Sequence, residues 1–324
     1  MNVLVTGGAG LIGSYLSEFI LRQPGDHSVV CVDDLSTGSL DNVRAVATHP
    51  RYRFVRDSIR NVNTMTTLID RCDLVFHLAA AVGVQLIVDQ PVRTIETNIH
   101  GSEIVLELAN KFGRKVLLAS SSEVYGKSDN VPFREDNDIV LGSTRFSRWC
   151  YACSKMVDEF LALAYFDQFG LPVVVCRFFN TVGPRQIGTY GMVIPRFVQA
   201  ALRNEPISIY GSGKQVRSFC HVADIVGALW KLAACPEAVG QVINLGSTES
   251  VSIEALADLV IELTASRGGK VYLTYEQAYG KPFDDLPRRV PDVSRARKLI
   301  AFAPTISLRQ TLEQVIEYER NRMA

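Results

Sequence analysis

A chain of 324 residues is long for one core and comfortable for a domain plus a smaller lobe. Hydrophobic residues make up 47% and charged residues 21%, the profile of an ordinary soluble globular protein. Lysine plus arginine equal aspartate plus glutamate at 34 each, so no long-range field gathers nucleic acid or an anionic membrane, and no apolar run reaches membrane-spanning length.

The N-terminus opens directly on a buried-strand pattern at residues 2–6, which predicts no leader, no anchor and a cytoplasmic location. Short apolar runs follow at 29–32, 53–55, 74–78, 116–119 and 173–176, with helical patterns at 11–21, 91–112 and 149–169 between them. Strands alternating with helices imply βαβ units, so the expected fold class is α/β: a Rossmann-like doubly wound parallel sheet with helices on both faces. After Arg177 the rhythm loosens, with turn signals at Gly183-Pro184, Gly188, Gly191, Gly211 and Gly213. That tail predicts a smaller C-terminal lobe closing over the carboxyl edge of the sheet, where ligands bind in such folds. Residues 1–180 are expected to form the large domain and 181–324 the lobe, with the helix-then-strand pattern of 221–246 returning to the large domain.

The seven cysteines are odd in number and scattered. Cys150 and Cys153 have the C-x-x-C spacing of redox and zinc sites, but no second pair or histidine cluster accompanies them, so reduced structural thiols and no metal are expected.

Directly after the first strand, Thr6-Gly7-Gly8-Ala9-Gly10-Leu11-Ile12-Gly13 opens the first helix. Gly7 and Gly10 would allow a tight turn and close approach to a pyrophosphate, and Gly13 close packing of helix on strand. The phosphates would then sit on the helix N-terminus, where free N–H groups favour negative charge. A glycine triplet alone is a weak signal. It gains from Asp33, which ends the second strand and would accept hydrogen bonds from the adenine ribose diol while repelling a 2′-phosphate. No Arg or Lys follows in Asp34-Leu35-Ser36-Thr37-Gly38, so NAD is expected rather than NADP.

Tyr151 and Lys155 are four apart at the start of a predicted helix and share a face. An ammonium beside a phenol stabilises the phenolate, lowering its pKa from about 10 toward the working range. Such a tyrosine could take the proton of a sugar hydroxyl as hydride leaves the same carbon. The spacing alone occurs by chance on many helices, but Ser120-Ser121-Ser122-Glu123-Val124-Tyr125-Gly126 follows a buried strand and brings its hydroxyls to the same carboxyl edge.

Together with Phe76-His77-Leu78-Ala79-Ala80, Thr97-Asn98 with Gly101, Arg177-Phe178-Phe179-Asn180, and Tyr210-Gly211-Ser212-Gly213 leading to Arg217 and Asp224, these residues resemble the extended short-chain dehydrogenase/reductase family. The likeness is to its nucleotide-sugar epimerase/dehydratase branch and runs over nearly the whole chain. The resemblance implies that Ser121 hydrogen-bonds the reacting hydroxyl with Ser122 beside it, that Tyr151 is the base, and that Lys155 is its partner and holds the nicotinamide ribose. It implies that Leu11, Ile12, Asp34, Ala79, Ala80 and Asn98 join Gly7, Gly10, Gly13 and Asp33 around NAD. Asn180, Arg217 and Arg289, in Arg289-Val290-Pro291-Asp292, become contacts to the nucleotide diphosphate, most commonly UDP. Where the family has an acid near the adenine in Gly-Asp-Ile, this chain reads Asp57-Ser58-Ile59, so Asp57 and Ser58 both stay candidates for that edge.

A ketone at C4 can be reduced from the other face, lose CO2 from a C5 carboxylate, or lose water across C5–C6. Glu123 bears on this choice. Its Ser-Glu-Val-Tyr-Gly run resembles UDP-glucuronate decarboxylases, as do Arg148-Trp149 and Tyr279-Gly280-Lys281 leading to Arg289, and a related glutamate is the C5 acid/base of sugar 4,6-dehydratases. Arg185, in Gly183-Pro184-Arg185, is a candidate fork for a sugar carboxylate. Plainer readings are a solvated or helix-capping loop acid for Glu123 and a surface arginine for Arg185. Decarboxylation needs a uronate, whereas epimerisation needs only the catalytic residues, held NAD and room for the 4-ketose to turn. A UDP-sugar 4-epimerase of the UDP-glucose or UDP-glucuronate type is therefore the first expectation, a UDP-glucuronate decarboxylase the second and a 4,6-dehydratase the third. A catalytically silent NAD-binding scaffold is the non-enzyme alternative, since fold does not fix function. A simple ketoreductase would consume NADPH instead of recycling its cofactor.

The helices at 91–112 and 149–169 carry apolar residues beyond one stripe, including Ile95, Ile99, Phe160 and Leu161. The family usually pairs these helices across a homodimer, which is the expected assembly. Burial on both sides within one chain is the alternative.

Overall fold

The computed structural model describes residues 1–188, 191–280 and 283–323. Six strands, β1 (Asn2–Thr6), β2 (Ser28–Asp33), β3 (Tyr52–Arg56), β4 (Leu74–His77), β5 (Lys115–Ser121) and β6 (Val173–Phe178), alternate with five helices. These are α1 (Leu11–Arg22), α2 (Val62–Asp70), α3 (Val84–Asp89), α4 (Pro91–Phe112) and α5 (Arg148–Phe169). All six strands run parallel in the order β3-β2-β1-β4-β5-β6, with Gln241–Leu245 added parallel to β6. The order reverses direction at β1 and β4, which opens a crevice at their carboxyl ends.

Continuous apolar runs suit strands covered on both faces. Side chains alternate across each strand: Val3, Val5, Leu74, Phe76, Leu117, Val174 and Cys176 enter a core with α1 and the helix Val222–Ala234. Leu4, Val75, Val116, Leu118, Val173 and Val175 enter a second core with α2, α4 and α5. Pro91 begins α4 at a position where its missing N–H costs nothing. The helices α2 and α3 were not expected from the sequence. Each is a short apolar stretch with polar neighbours, below the length at which helical period stands out.

The chain then builds a smaller core from Val182, Ile194, Phe197, Val198, Ile207, Ile209, Leu256, Val260, Leu312 and Ile316. Three small sheets accompany it, the smallest pairing Thr181–Val182 with Cys220–His221. Ile207–Tyr210 pairs with Lys270–Leu273, and Val216–Ser218 lies between Ser250–Ser252 and Arg288–Arg289. These elements cover the carboxyl end of the large sheet.

Among the described residues no helix is long and apolar enough to cross a membrane. All seven cysteines are free, and burial pushes the Cys150 thiol up to about 11, so Cys150 is not poised as a thiolate. Among the described residues no cluster of His, Cys, Asp or Glu could hold a metal ion.

Candidate active site

One cleft runs along the carboxyl edge, from the glycine loop at β1 to Arg289. At its first end Gly7 stands at φ +68°, and a Cβ there would meet Ala79 N at 2.8 Å. A Cβ on Gly13 would meet Gly7 O at 2.4 Å, so both positions exclude a side chain. The N-terminus of α1 has no side-chain cap and no acid in its first turn, leaving N–H groups directed into the cleft. Asp33 Oδ2 accepts from Ala9 N at 3.0 Å and Oδ1 from Leu35 N at 2.8 Å. Burial pushes its carboxyl upward against those two bonds, and each oxygen keeps a lone pair for a diol.

Asp57 accepts from Ser58 N at 2.7 Å, Asn61 Nδ2 at 2.9 Å and Thr64 Oγ1 at 2.6 Å, and these bonds hold its carboxyl below the usual range. Asp57 and Ser58 both line the cleft, together with Asp34, Leu11, Ile12, Ala79 and Ala80. The donors at α1, the bare turn and the buried Asp33 carboxylate that lines the cleft form a cradle that fits a dinucleotide diphosphate and its ribose.

At mid-cleft, β5 ends at Ser121 and α5 carries Tyr151 and Lys155 to meet it. The three line the cleft together, and the Ser121 hydroxyl faces the Tyr151 phenol. The sequence predicted a lowered phenol; here the direction is upward, because burial outweighs the pull of Lys155 and Ser121. Lys155 is itself engaged, its Nζ donating to Asp158 Oδ2 at 3.0 Å. Burial alone would push Lys155 down, but Asp158, Tyr151 and Glu159 together outweigh it and the net direction is upward.

Beyond Tyr151 the cleft turns cationic. Glu123, two residues after Ser121, is gripped by Arg148 Nη2 at 2.8 Å and by Arg289 Nη1. Burial would raise its carboxyl, but Arg148 and then Arg289 hold it far below the usual range, so Glu123 is ionised. Arg148 Nη1 also bonds Asp285 Oδ1 at 2.8 Å, Arg217 Nη2 bonds the same oxygen at 2.9 Å, and Tyr275 donates to Oδ2 at 2.9 Å. Asn180 joins strands and cluster, accepting from Arg289 Nη2 at 2.7 Å and donating to Ser218 O at 2.7 Å. Three arginines face two carboxylates, so the cluster keeps one net positive charge for an anion. An aromatic wall of Tyr210, Tyr275, Tyr279 and Phe283 closes this end, with the Arg196 guanidinium 3.7 Å from the Tyr210 ring centre.

The structure thus brings Ser121, Ser122, Glu123, Tyr151, Lys155, Asn180, Arg185, Arg217 and Arg289 to one cleft with the glycine loop. Two residues point elsewhere than expected. Asn98 is 1% exposed; its side chain accepts from Ala81 N at 2.8 Å and donates to Ser154 Oγ at 3.1 Å, so it braces the wall behind Ala79–Ala81 and does not line the cleft. Arg185 sits at φ +77° and stacks on Tyr15, with Nη2 bonded to Glu18 Oε1 of α1 at 2.7 Å. Its guanidinium is committed to α1, whereas Arg148 and Arg289 both grip the Glu123 carboxylate. Lys281 of the Tyr279-Gly280-Lys281 run lies outside the described residues.

Sequence reasoning noted Arg148 only within a resemblance, without a role, and passed over Asp285 and Asp158. For Arg148 a signal existed, since it precedes Tyr151 by three residues on the same helix face. For Asp285 there was none, because its partners are 68 and 137 residues away.

A doubly wound sheet with a diphosphate cradle at its switch point and a tyrosine–lysine pair beside it defines a dinucleotide-dependent enzyme class. The family model described as GDP-mannose 4,6 dehydratase matches residues 4–315, and the chain belongs to that family, the nucleotide-sugar epimerase/dehydratase branch of the extended short-chain dehydrogenases/reductases. It is 40% identical over 320 residues to a UDP-N-acetyl-alpha-D-glucosaminuronate decarboxylase of Bacillus cytotoxicus, covering 98% of this chain and 97% of that one. It is 34% identical to UDP-glucuronic acid decarboxylase 1 of Xenopus tropicalis over 99% of this chain and 73% of that one. Among solved structures, a UDP-glucuronic acid 4-epimerase from Bacillus cereus, in complex with UDP-glucuronic acid and NAD, superposes with a TM-score of 0.89 at 28% identity, covering 99% and 100% of the two chains.

Proposed function

We propose that the chain is an NAD-dependent decarboxylase of a UDP-hexuronate, of the UDP-glucuronate or UDP-N-acetylglucosaminuronate kind. The observation that carries this is Glu123 held between Arg148 and Arg289 next to the Ser121–Tyr151–Lys155 group. Similarity to the two decarboxylases supports it and moves this reading ahead of the 4-epimerase, which the sequence alone put first.

NAD, which Gly7, Gly10, Gly13 and Asp33 would hold, would supply the hydride acceptor and donor for C4. The rest falls to the chain. Ser121 and Tyr151 bind the C4 hydroxyl, and Tyr151 takes its proton as the C4–H bond breaks, with Lys155 stabilising the phenolate. The substrate carboxylate on C5 competes with Glu123 for Arg289 and Arg148. With C4 a ketone, the C5–carboxylate bond can break, CO2 leaves, and the electron pair enters the ketone as an enolate. Glu123, relieved of one arginine, is then free to take up a proton from solvent water and pass it to C5, where it replaces the departed carboxylate. Tyr151 returns its proton to the C4 oxygen as the ketone is reduced. Arg217, Asn180 and the aromatic wall are assigned to the UDP moiety; Gly7, Gly10, Gly13, Asp33 and the Asp57-Ser58 edge are assigned to NAD.

The test is incubation with UDP-glucuronate and with UDP-N-acetylglucosaminuronate, with and without added NAD, and analysis by mass spectrometry and proton NMR. A product lighter by one CO2 is expected from one of them. An unchanged mass with a new galacto-configured anomeric signal would instead establish a uronate 4-epimerase, the reading favoured by the close superposition on the B. cereus enzyme. No product from any nucleotide sugar would leave the silent scaffold.

The proposal includes a homodimer. The helices α4 and α5 pack together, yet Val92 is 66%, Ile95 40% and Phe160 66% exposed, so burial within one chain leaves these side chains uncovered. Sedimentation is expected to give a dimer, and Phe160→Glu to shift it toward monomer; a monomeric wild-type protein removes this assembly.

A further inference from the structure

Lys155 and Asp158 are three apart on α5 and share a face, bonded at 3.0 Å with 2% and 1% exposure. The chemistry at Tyr151 calls for the lysine, not for the carboxylate. Removing two charges from water costs several kcal/mol per ion unless further contacts hold them, and the chain supplies such contacts. The Ser102 hydroxyl of α4 faces Asp158 and also lies 3.2 Å from His77 Nε2, while His77 Nδ1 lies 2.8 Å from Thr6 Oγ1.

Thr6 Oγ1 accepts from both Leu78 N and Ala79 N at 3.1 Å, so its own proton goes to His77 Nδ1. That fixes the neutral ring with its proton on Nε2, which donates to Ser102 and leaves the Ser102 proton for Asp158. Burial, and then the charge of Lys155, push His77 down to about 3, in keeping with a neutral ring. A directed chain from Thr6 through His77 and Ser102 thus points its last proton at Asp158, the carboxylate to which Lys155 also donates.

We propose that Asp158 is a positioning residue of the active site: it fixes the Lys155 ammonium beside Tyr151, balances its charge, and sets the pH at which the Tyr151–Lys155 pair gives up its first proton. The proposal rests on the reading of Tyr151 as base. Other charged groups near the pair are accounted for. Glu123 beyond β5 is paired with Arg148 and Arg289, and Glu159 on α5 is paired with Arg177 of β6 at 2.7 Å. His77 of β4 is neutral, α4 offers Ser102 and the Asn98 amide, and Asp89 of α3 is exposed and bonded to Gln85. With Asp158 ionised, the buried group of Tyr151, Lys155 and Asp158 is neutral. Without it, the group carries a net positive charge and loses a proton more readily, whichever side chain the proton leaves.

Ultraviolet difference titration of the NAD-loaded protein, with Tyr151→Phe as the blank, reads the phenolate without any substrate. In Asp158→Asn the first proton is expected to leave at a pH lower by about one unit. The acid limb of kcat/KM is expected to move the same way, and Asp158→Glu to restore both. Asp158→Ser, which leaves room for a water beside Lys155, gives the same reading should the asparagine variant not fold. An unmoved titration in a folded variant overturns the proposal even where activity falls, because a merely structural carboxylate would lower kcat and Tm without moving the limb. Absence of any Tyr151 signal in the wild type across the accessible pH range would count against Tyr151 as the base instead.

Discussion

Replacing Tyr151 with phenylalanine is expected to lower turnover by about 10²–10⁴-fold, the usual weight of a positioned general base, while NAD stays bound. The ring keeps its buried place among α5 and the end of β5, 6% exposed in the native protein, so no cavity forms. What disappears is the hydroxyl that faces Ser121 and feels Lys155. The cradle at the other end of the cleft, built from Gly7, Gly13, Asp33 and the start of α1, is untouched. Cofactor retention measured by fluorescence, set against turnover of the nucleotide sugar, separates the two effects. Turnover equal to wild type would remove Tyr151 from the mechanism.

Glu123→Gln is expected to lower release of CO2 product by about 10²–10³-fold, within the range of a lost proton donor, while oxidation at C4 survives and appears as a burst of reduced-nicotinamide absorbance. Glutamine keeps one acceptor oxygen for the arginines, turns an N–H donor toward the other guanidinium, and cannot carry the proton to C5. The fold tolerates this change, since Arg148 retains Asp285 and Arg289 retains Asn180. Glu123→Ala is a harsher test, leaving two guanidinium groups facing each other across a buried gap, a loss of about 3–5 kcal/mol when one partner of a buried pair is removed. Wild-type rates in Glu123→Gln would show that the glutamate only organises the arginines. Loss of the oxidation burst as well would place its role before C4 chemistry.

Much of the large domain was legible because its signals are local. The apolar runs at 2–6 and 173–176 lie within observed strands, and the helix at 91–112 begins at Pro91 and ends at Phe112 as its pattern predicts. The glycine turn and Asp33 are read from spacing along one βαβ unit. Beyond Arg177 several strands shorten to two or three residues, as at Thr181–Val182 and Arg288–Arg289, and there periodicity has nothing to act on.

The site itself divides the same way. Tyr151 and Lys155 are visible as a helical pair, but the direction of the phenol's shift depends on burial and on Asp158, which pattern does not weigh. Arg185 was read from its Gly-Pro neighbours as a fork for a carboxylate. A left-handed backbone at that residue sends its side chain to Glu18, 167 positions earlier in the chain, and no spacing rule reports such a meeting. Asn98 faces inward for a similar reason, since its amide satisfies the Ala81 backbone, accepting from Ala81 N and donating to Ala81 O.

The strand Gln241–Leu245 beside β6 has a consequence for how the protein is made. On a ribosome, β6 is complete at Phe178, but its outer edge finds its partner only when Leu245 emerges. At about 5–20 residues per second that interval is roughly 3–13 s. During it, Val173, Val174, Val175 and Cys176 form an unpaired apolar edge, the kind of template that recruits strands from other chains. Nascent chains stalled in that interval are therefore the form of this protein most exposed to aggregation, and a gene truncated after the first 180 codons would make that exposure permanent.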